Sequence, residues 1–479
     1  MDYYKKKQFL AEVNEKDEIV GKIEKWEAHK KGILHRGYTA IITFEDKLLL
    51  QHRKHPIFDN VFDFSFSSHQ VYVKDTIQDD VVAILAPTLY FTDVLSLVYI
   101  CYFIFHHVIP ALRIGGGIQA IIFQFKKGNL RLDPLLRGDN NNIVFSFIFI
   151  FLLIINYFFA LSKPLWFYSI ARFIQWACIF CFFKTQAKNK VIFSAVLYGL
   201  FLGGFFELGL SLLQLSTRHS IQGWWYYLGE RSFSIATPGI AKAYFFGKEF
   251  LRPYGTFSHP NSLAGFYLLL YSFILTYKRI TNAFFKTLFL IITSALVLVS
   301  FSRTAIIVYV LINLIYFAKN FFFCRTCFIA KIIIALFLIT FAFSITGDSN
   351  SFQKRNDFAQ KSLSIIATKP FSGTGIGSYL IAQHQYPQKF STFFEQPVHN
   401  VFLLIIAQLG IPLSILLFFS MYRYIERHLK KIYFLLPFIT VLITGSVDHY
   451  WITLQQNLLV SAFIFGILFS YEETPSRTG

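Results

Sequence analysis

The chain has 479 residues, of which 54% are hydrophobic and only 15% are charged, and its formal net charge is +18. So few charged residues exclude a soluble globular protein. The positive charge alone would suit a nucleic-acid-binding protein. No RNA- or DNA-binding motif accompanies it, however, and basic cytoplasmic loops that contact anionic lipid account for it better. We therefore expect membrane lipid, and no nucleic acid, as a partner.

The N-terminal residues, 1 to about 80, have a mixed composition typical of a soluble segment. Residues 38–44 and 47–53 are rich in β-branched, aromatic and aliphatic side chains, and Glu45-Asp46 stands between them. Two such runs with a short polar connection predict a β-hairpin.

Apolar runs of about 18 to 22 residues, the length that a helix needs to cross a bilayer, dominate the rest of the chain. They lack the alternation of barrel strands, so we predict an all-α polytopic membrane protein of about 11–12 transmembrane helices with a large external loop. The predicted spans are 83–109, 143–162, 164–183, 190–215, 259–277, 286–301, 304–318, 330–346, 400–420, 431–447 and 452–470.

Lys and Arg residues orient these spans. They crowd three short loops, at 278–286, 319–331 and 423–431, which the positive-inside rule places in the cytoplasm. The long segments 216–258 and 347–398 then lie outside. The same count puts residues 1–80 outside, although nothing there resembles an export signal. Either the stretch from 81 to 124 crosses the membrane an even number of times or re-enters it, or the N-terminal segment is a graft.

Polar residues at the mouths of the spans gather on the outer face in this topology. They form three patches, at 252–261, 300–305 and 396–400, together with the Asp448-His449 pair. Arg252 and Arg303 are permanently charged and present planar forks that suit a diphosphate, which they would stabilise as it leaves.

His399 offers an imidazole, a group suited to accepting a proton from an attacking hydroxyl group. Asn400 would orient it or contact a sugar. Residues 373–377 read Gly-Thr-Gly-Ile-Gly, which we interpret as a tight turn rather than a phosphate-binding loop, because no strand–helix unit surrounds it. The aromatic run at 223–227 suits the lipid interface and sugar stacking equally well.

Arg172 and Glu207 lie inside two neighbouring predicted spans, both about 12 Å below the outer surface at 1.5 Å rise per residue. A lone charge at that depth is costly, so we predict that they form a structural ion pair. A buried pair that fixes helix packing is favoured over a role in substrate binding.

At these residues the chain resembles the O-antigen ligase and polymerase superfamily of bacterial cell-surface glycan enzymes. The resemblance covers roughly residues 83–472, with its motif core at 252–412. It rests on four motifs in order: the patch at 252–261, Ser302-Arg303-Thr304-Ala305, residues 369–377, and His399-Asn400 followed by residues 409–412. Relatives with this pattern also end in a segment like Asp448-His449-Tyr450.

The resemblance implies a metal-independent, inverting transferase without a cofactor. It would move a polyprenyl-diphosphate-linked glycan to a glycolipid, glycan or protein acceptor at the outer face of the cytoplasmic membrane. Arg252 and Arg303 would bind the diphosphate, and His399 would activate the acceptor. Four further residues are candidates for substrate contact: Asn261, Asn400, Asp448 and His449.

Ligase is favoured over polymerase on the His399-Asn400 patch, but both use paired arginines. A transporter of lipid-linked glycans is the alternative from another class. A transporter would be expected to contain internal repeats and several charged residues near the middle of the membrane. The sequence shows no repeat and few such charges.

Residues 1–80 are similar to the Nudix superfamily, nearest the isopentenyl-diphosphate isomerase branch. His29, His35 and His69 fall where that branch has metal-binding histidines, but the glutamate-rich Nudix box is absent. Without those carboxylates a hard divalent cation lacks ligands, so we expect an inactive α+β fragment. Diphosphate hydrolysis by this segment is the remaining alternative activity.

Overall fold

The computed structural model describes only part of the chain. The described residues are 9–15, 19–35, 37–41, 43–44, 47–48, 51–53, 61–63, 65–69, 140–237, 239–245, 248–319, 325–345, 351–387, 396–426 and 428–470. The predicted span 83–109 lies outside them. The chain divides into two compact units, one formed by residues 1–86 with 387–395 and the other by residues 87–386 with 396–479.

The first unit is α+β. Its elements are β1 (Phe9–Val13), β2 (Ile19–Glu24), α1 (Lys25–Lys31), β3 (Gly37–Ile41), β4 (Thr43–Phe44), β5 (Lys47–Leu48), β6 (Gln51–Arg53), β7 (Val61–Asp63) and β8 (Ser65–His69). The strands pair antiparallel as β1 with β2, β3 with β8, β4 with β5, and β6 with β7. The predicted hairpin is confirmed where β4 meets β5, whereas β3 pairs with the later strand β8.

The Nudix-like identity of this unit stays a prediction. Among the three candidate metal-binding histidines, the side chains of His29 and His69 lie outside the described residues. The ring of His35 contacts the carbonyl oxygen of Ile33 through Nδ1, at 2.7 Å.

The second unit is helical. Its helices are α2 (Asn140–Phe158), α3 (Lys163–Gln186), α4 (Lys190–Thr217), α5 (Trp224–Tyr227), α6 (Pro260–Thr276), α7 (Ala283–Val299), α8 (Arg303–Lys319), α9 (Arg325–Ser344), α10 (Ser351–Thr368), α11 (Tyr379–Gln383), α12 (Val401–Leu409), α13 (Ile411–Ile425), α14 (Ile432–Gly445), α15 (Tyr450–Thr453) and α16 (Gln455–Ser470). One antiparallel hairpin, β9 (Lys242–Phe245) with β10 (Lys248–Leu251), precedes α6.

Helix α6 forms the centre of this unit. Nearly every residue from Pro260 to Thr276 is buried, and the helix packs against α7, α14, α16 and α8. Its start is specified locally, because Pro260 occupies the first turn and His259 accepts a hydrogen bond from the backbone N–H of Asn261 as N-cap. The site residues next to this start are therefore held by the best-packed element of the unit.

Helices α3 and α4 are long and apolar enough to cross a membrane, which agrees with the predicted spans 164–183 and 190–215. The other apolar helices are shorter, at 10–17 residues: 147–158, 260–276, 283–299, 329–344, 411–425, 432–445 and 455–470. They fall within or near other predicted spans, and their crossing of the membrane stays a prediction.

The predicted continuous span 400–420 is wrong. The helix breaks at Gly410, where φ is 78° and ψ is 164°, so α12 ends at Leu409 and α13 begins at Ile411. A Cβ atom at Gly410 would lie 2.4 Å from the carbonyl oxygen of Phe371. The close backbone approach and the positive φ together require glycine here. The predicted turn at Ser302-Arg303 is confirmed, since α7 ends at Val299 and α8 begins at Arg303.

Candidate active site

Arg252 lies immediately after β10 and contributes a cation to the candidate site. Its Nε donates to the carbonyl oxygen of Ser300 at 3.0 Å, and its NH2 group donates to Oδ1 of Asn261 at 2.6 Å. These bonds join two of the sequence patches. Burial and the nearby positive charges of Arg355 and Arg303 lower the pKa of Arg252 to about 10, so the guanidinium remains charged at neutral pH.

Asn261 connects this arginine to a carboxylate. Its Oδ1 accepts from Arg252, and its Nδ2 donates to Oδ2 of Asp448 at 2.8 Å. One amide side chain on the first turn of α6 thus fixes a cation and an anion that come from distant parts of the sequence.

Asp448 lies between α14 and α15 and is only 7% exposed. Its Oδ1 accepts from the backbone N–H of His449 at 2.8 Å and lies 3.5 Å from Nδ1 of His399. Burial would raise the pKa of this carboxyl, but the contact with His399 outweighs burial and lowers the pKa well below its usual range. Asp448 is therefore a carboxylate that faces the ring of His399.

His399 precedes α12 and has different surroundings at its two ring nitrogens. Nδ1 is buried and points towards Asp448, without a closer hydrogen-bond partner among the described residues. Nε2 lies 3.1 Å from Oε1 of Gln396. The rings of His449 and Phe358 have centroids 5.2 and 6.2 Å away, respectively. The amide oxygen of Gln396 can only accept a hydrogen bond, so this contact places a proton on Nε2. When an acceptor group displaces Gln396, a proton on Nδ1 towards Asp448 leaves Nε2 as the basic nitrogen.

Asn400 does not orient His399 through a hydrogen bond. Its Oδ1 accepts from the backbone N–H of Leu403 as N-cap of α12, and its Nδ2 donates to the carbonyl oxygen of Ser446. The side chain therefore fixes α12 beside the end of α14, which brings His399 towards Asp448.

His449 and His259 border the same site as neutral rings. Burial and the positive charge of nearby groups lower the pKa of His259 to about 3, and burial lowers that of His449 to about 4. His449 Nδ1 contacts the Thr453 hydroxyl at 2.8 Å. Neither ring is protonated at neutral pH, so the arginines supply the positive charge.

A small, open cavity adjoins these residues. Its lining includes Asn261, Ser302, Thr304, Arg355, Asp448 and Tyr450. Arg303, at the start of α8, is exposed, and its charge is felt by Arg252. The structure therefore brings Arg252, Arg303, Asn261, His399, Asp448 and His449 into one region.

Arg355 is a site residue that sequence reasoning missed. It lies on α10, inside the segment 347–398 that was treated as a loop. The available signal was the amphipathic pattern of this helix, which buries Phe358, Ser362 and Ile365 on one side.

Thr256 is the hydrogen-bond partner of Glu207. Both carboxylate oxygens of Glu207 accept from Thr256, one from its backbone N–H at 3.0 Å and the other from its hydroxyl. The guanidinium of Arg172 lies 5.8 Å from the ring centre of Tyr168. The hydrogen bonds of Thr256 satisfy the buried carboxylate of Glu207, and its ion pair with Arg172 stays a prediction.

A second buried side chain, that of Gln214, anchors the turn that follows Arg252. Oε1 of Gln214, near the end of α4, accepts from the backbone N–H groups of Tyr254 and Gly255, both at 2.9 Å. Its Nε2 donates to Glu230 at 2.8 Å and to the Gly255 carbonyl at 3.1 Å. Glu207 and Gln214 together therefore anchor residues 254–256 on α4.

The turn at residues 373–377 is structural, as its sequence predicted. The backbone N–H groups of Thr374 and Gly375 donate to the carbonyl oxygens of Ala407 and Gln408. A Cβ atom at Gly375 would lie 2.3 Å from that of Ala160. These amides are occupied by protein partners, so they are not free to cradle a phosphate.

His399, Asp448 and His449, here called the Asp448 cluster, each offer one ligand atom, and the three atoms lie within 4.8 Å of one another. Two imidazoles and a carboxylate at this spacing are a ligand set suited to a transition-metal ion. The sequence prediction of a metal-independent site therefore stays a prediction.

Comparison with known proteins gives one family. Residues 264–419 match the model of the family described as O-antigen ligase. No curated protein and no solved structure matches the chain. The match runs from within α6 to within α13 and includes Arg303, Arg355 and His399. It supports the O-antigen ligase superfamily and a role in glycan ligation or polymerisation. Proteins of this family are membrane-embedded, which agrees with the apolar helices.

Proposed function

We propose that the chain is a ligase-like glycosyltransferase that moves a glycan from a polyprenyl diphosphate to an acceptor hydroxyl or amine at the outer face of the cytoplasmic membrane. The observation that carries the proposal is the continuous polar connection from Arg252 through Asn261 and Asp448 to His399. Through these contacts a permanently charged guanidinium and an imidazole that can act as a base are linked within one site.

The reaction would proceed by direct displacement at the anomeric carbon. Nε2 of His399 takes the proton from the acceptor as its oxygen or nitrogen forms the new bond to that carbon. The bond from the carbon to the diphosphate oxygen breaks, and polyprenyl diphosphate leaves with the electron pair. Attack from the side opposite the leaving group inverts the anomeric configuration.

Asp448 and the arginines stabilise the charges that this step creates. The carboxylate of Asp448, 3.5 Å from Nδ1 of His399, opposes the positive charge of the protonated ring. Arg252 and Arg303 neutralise the departing diphosphate without a metal ion. The proposed roles are thus complementary, with one group for the proton and two for the leaving group.

Ligase is proposed rather than polymerase because the family match carries that description. Lipid-linked glycans from cells that lack the gene, complemented with wild type or His399→Ala, separate the two reactions. Long lipid-linked chains that accumulate without their final acceptor support a ligase, whereas accumulated single repeats show a polymerase. If the pool of lipid-linked glycans is the same in cells complemented with wild type and with His399→Ala, the transferase proposal is refuted.

A further inference from the structure

Arg355 brings a third guanidinium group to the cavity beside Asp448. It is half-buried on α10 and lines the cavity with Asn261 and Asp448. Its positive charge, like that of Arg303, contributes to lowering the pKa of Arg252. Three guanidinium groups, at Arg252, Arg303 and Arg355, therefore act on the same region.

The described residues use few of the donors of Arg355. The one hydrogen bond that they accept from it, from an NH1 group to the carbonyl oxygen of Val447, is long at 3.4 Å. Lys361 on the same helix, by contrast, is buried in an ion pair with Asp357 at 2.9 Å. Arg355 forms no such pair with a carboxylate in the described part of the chain, and a guanidinium presents five N–H donors.

The charge of the region is also unbalanced. Among the described residues, Asp448 is the one carboxylate that acts on Arg252 together with Arg303 and Arg355, and it is already engaged by Asn261 and the His449 backbone. Three fixed positive charges against one negative charge leave an excess of about two, which an anion with two or more charges would neutralise.

We infer that Arg355 is a third ligand for the diphosphate of the lipid-linked donor. The inference rests on the proposed function and adds a residue outside the motifs that suggested it. Helix α10 also places Phe358, three residues further on, against the ring of His399. Occupation of Arg355 by the diphosphate would therefore fix the helix that packs on the proposed base.

Binding of two soluble probes to the purified full-length chain in detergent tests this inference. The probes are farnesyl diphosphate and farnesyl monophosphate, and the measured quantity is the dissociation constant by calorimetry. Arg355→Gln should weaken diphosphate binding by about ten- to a hundredfold, the range for loss of a hydrogen bond to a charged group. Monophosphate binding should weaken less, because two other guanidinium groups suffice for the smaller charge.

Two further variants provide the comparison. Arg303→Gln removes an exposed arginine that makes no hydrogen bond with the described residues, so it should fold and weaken diphosphate binding similarly. Arg218→Gln removes an exposed arginine at the end of α4 that, unlike Arg303, is not among the charged groups acting on Arg252, and it should bind both probes like wild type. An equal loss in Arg218→Gln would show that overall charge, and not the cavity, attracts the probe.

The outcomes separate the two proposals. If Arg303→Gln weakens diphosphate binding and Arg355→Gln does not, the third ligand is refuted while the proposed function stands. If wild type binds neither probe, or binds the monophosphate as tightly as the diphosphate, the diphosphate site itself is refuted. Equal weakening of both probes in Arg355→Gln would assign this residue to a single phosphate, such as one on an acceptor.

Discussion

Replacement of Asn261 by alanine should break the hydrogen-bonded connection between Arg252, which is proposed to bind the leaving group, and Asp448, which faces the proposed base. The substitution removes two hydrogen bonds to charged partners, one from Arg252 at 2.6 Å and one to Asp448 at 2.8 Å. Each such bond contributes about 1.5–3 kcal/mol. Arg252 keeps its bond to Ser300, and Asp448 keeps the His449 backbone N–H, so the lower end of the sum applies.

A loss of about 3 kcal/mol in transition-state stabilisation corresponds to roughly a hundredfold lower transfer rate. The assay is transfer of lipid-linked glycan to its acceptor in membranes, normalised to protein amount on an immunoblot. We expect the Asn261→Ala protein to accumulate near the wild-type level, because α6 retains its His259 cap and its packing.

The matched control is Asn313→Ala on α8. Asn313 also bridges two groups, since it accepts from the Tyr271 hydroxyl and donates to the Tyr309 carbonyl oxygen, but it does not line the cavity. This variant should transfer glycan at close to the wild-type rate. Equal activity losses in the two variants, or a folded Asn261→Ala protein with wild-type activity, would refute the connecting role of Asn261.

Three other predictions follow from the same geometry. Gln214→Leu should lower the free energy of unfolding by about 3 kcal/mol or more, because it leaves three buried backbone groups without partners at about 1–3 kcal/mol each; an unchanged melting temperature in detergent would contradict this. The pKa of His259 is lowered to about 3, so the unfolded chain binds a proton below about pH 6.5 that the folded chain does not, and stability falls as the pH falls through that window. His259→Asn retains a capping acceptor and should lose less melting temperature than wild type between pH 7 and 5; an equal loss would assign the acid sensitivity to other groups. EDTA should leave transfer unchanged, whereas a loss that Zn²⁺ or Mn²⁺ restores would assign a metal to the Asp448 cluster.

The sequence predicted the helical class and several helix positions well, because apolar runs and caps are local signals. His259-Pro260 and Ser302-Arg303 mark helix starts within a few residues of the observed ones. The break at Gly410 was missed, since its cause is the backbone of Phe371, which lies far away in the sequence. Hydropathy alone cannot report such an approach.

The candidate site was predictable in its charged residues but not in its connections. Arg252, Arg303 and His399 were identified from residue type and topology, and the structure brings them into one region. The bridging role of Asn261 depends on a contact with Asp448, 187 residues later, and no local pattern encodes it. Charge and depth in a span likewise do not reveal that Thr256 satisfies the carboxylate of Glu207, and the ion pair of Glu207 with Arg172 stays a prediction.

The long separation between Asn261 and Asp448 also has a consequence for biosynthesis. A ribosome that has completed α6 to α13 has already made all three arginines proposed to bind the diphosphate, and the histidine. The carboxylate that Asn261 and His399 share does not yet exist at that stage. Nascent and prematurely terminated chains would therefore lack the completed connection, and glycan transfer would await the synthesis of α14 and of the turn that carries Asp448.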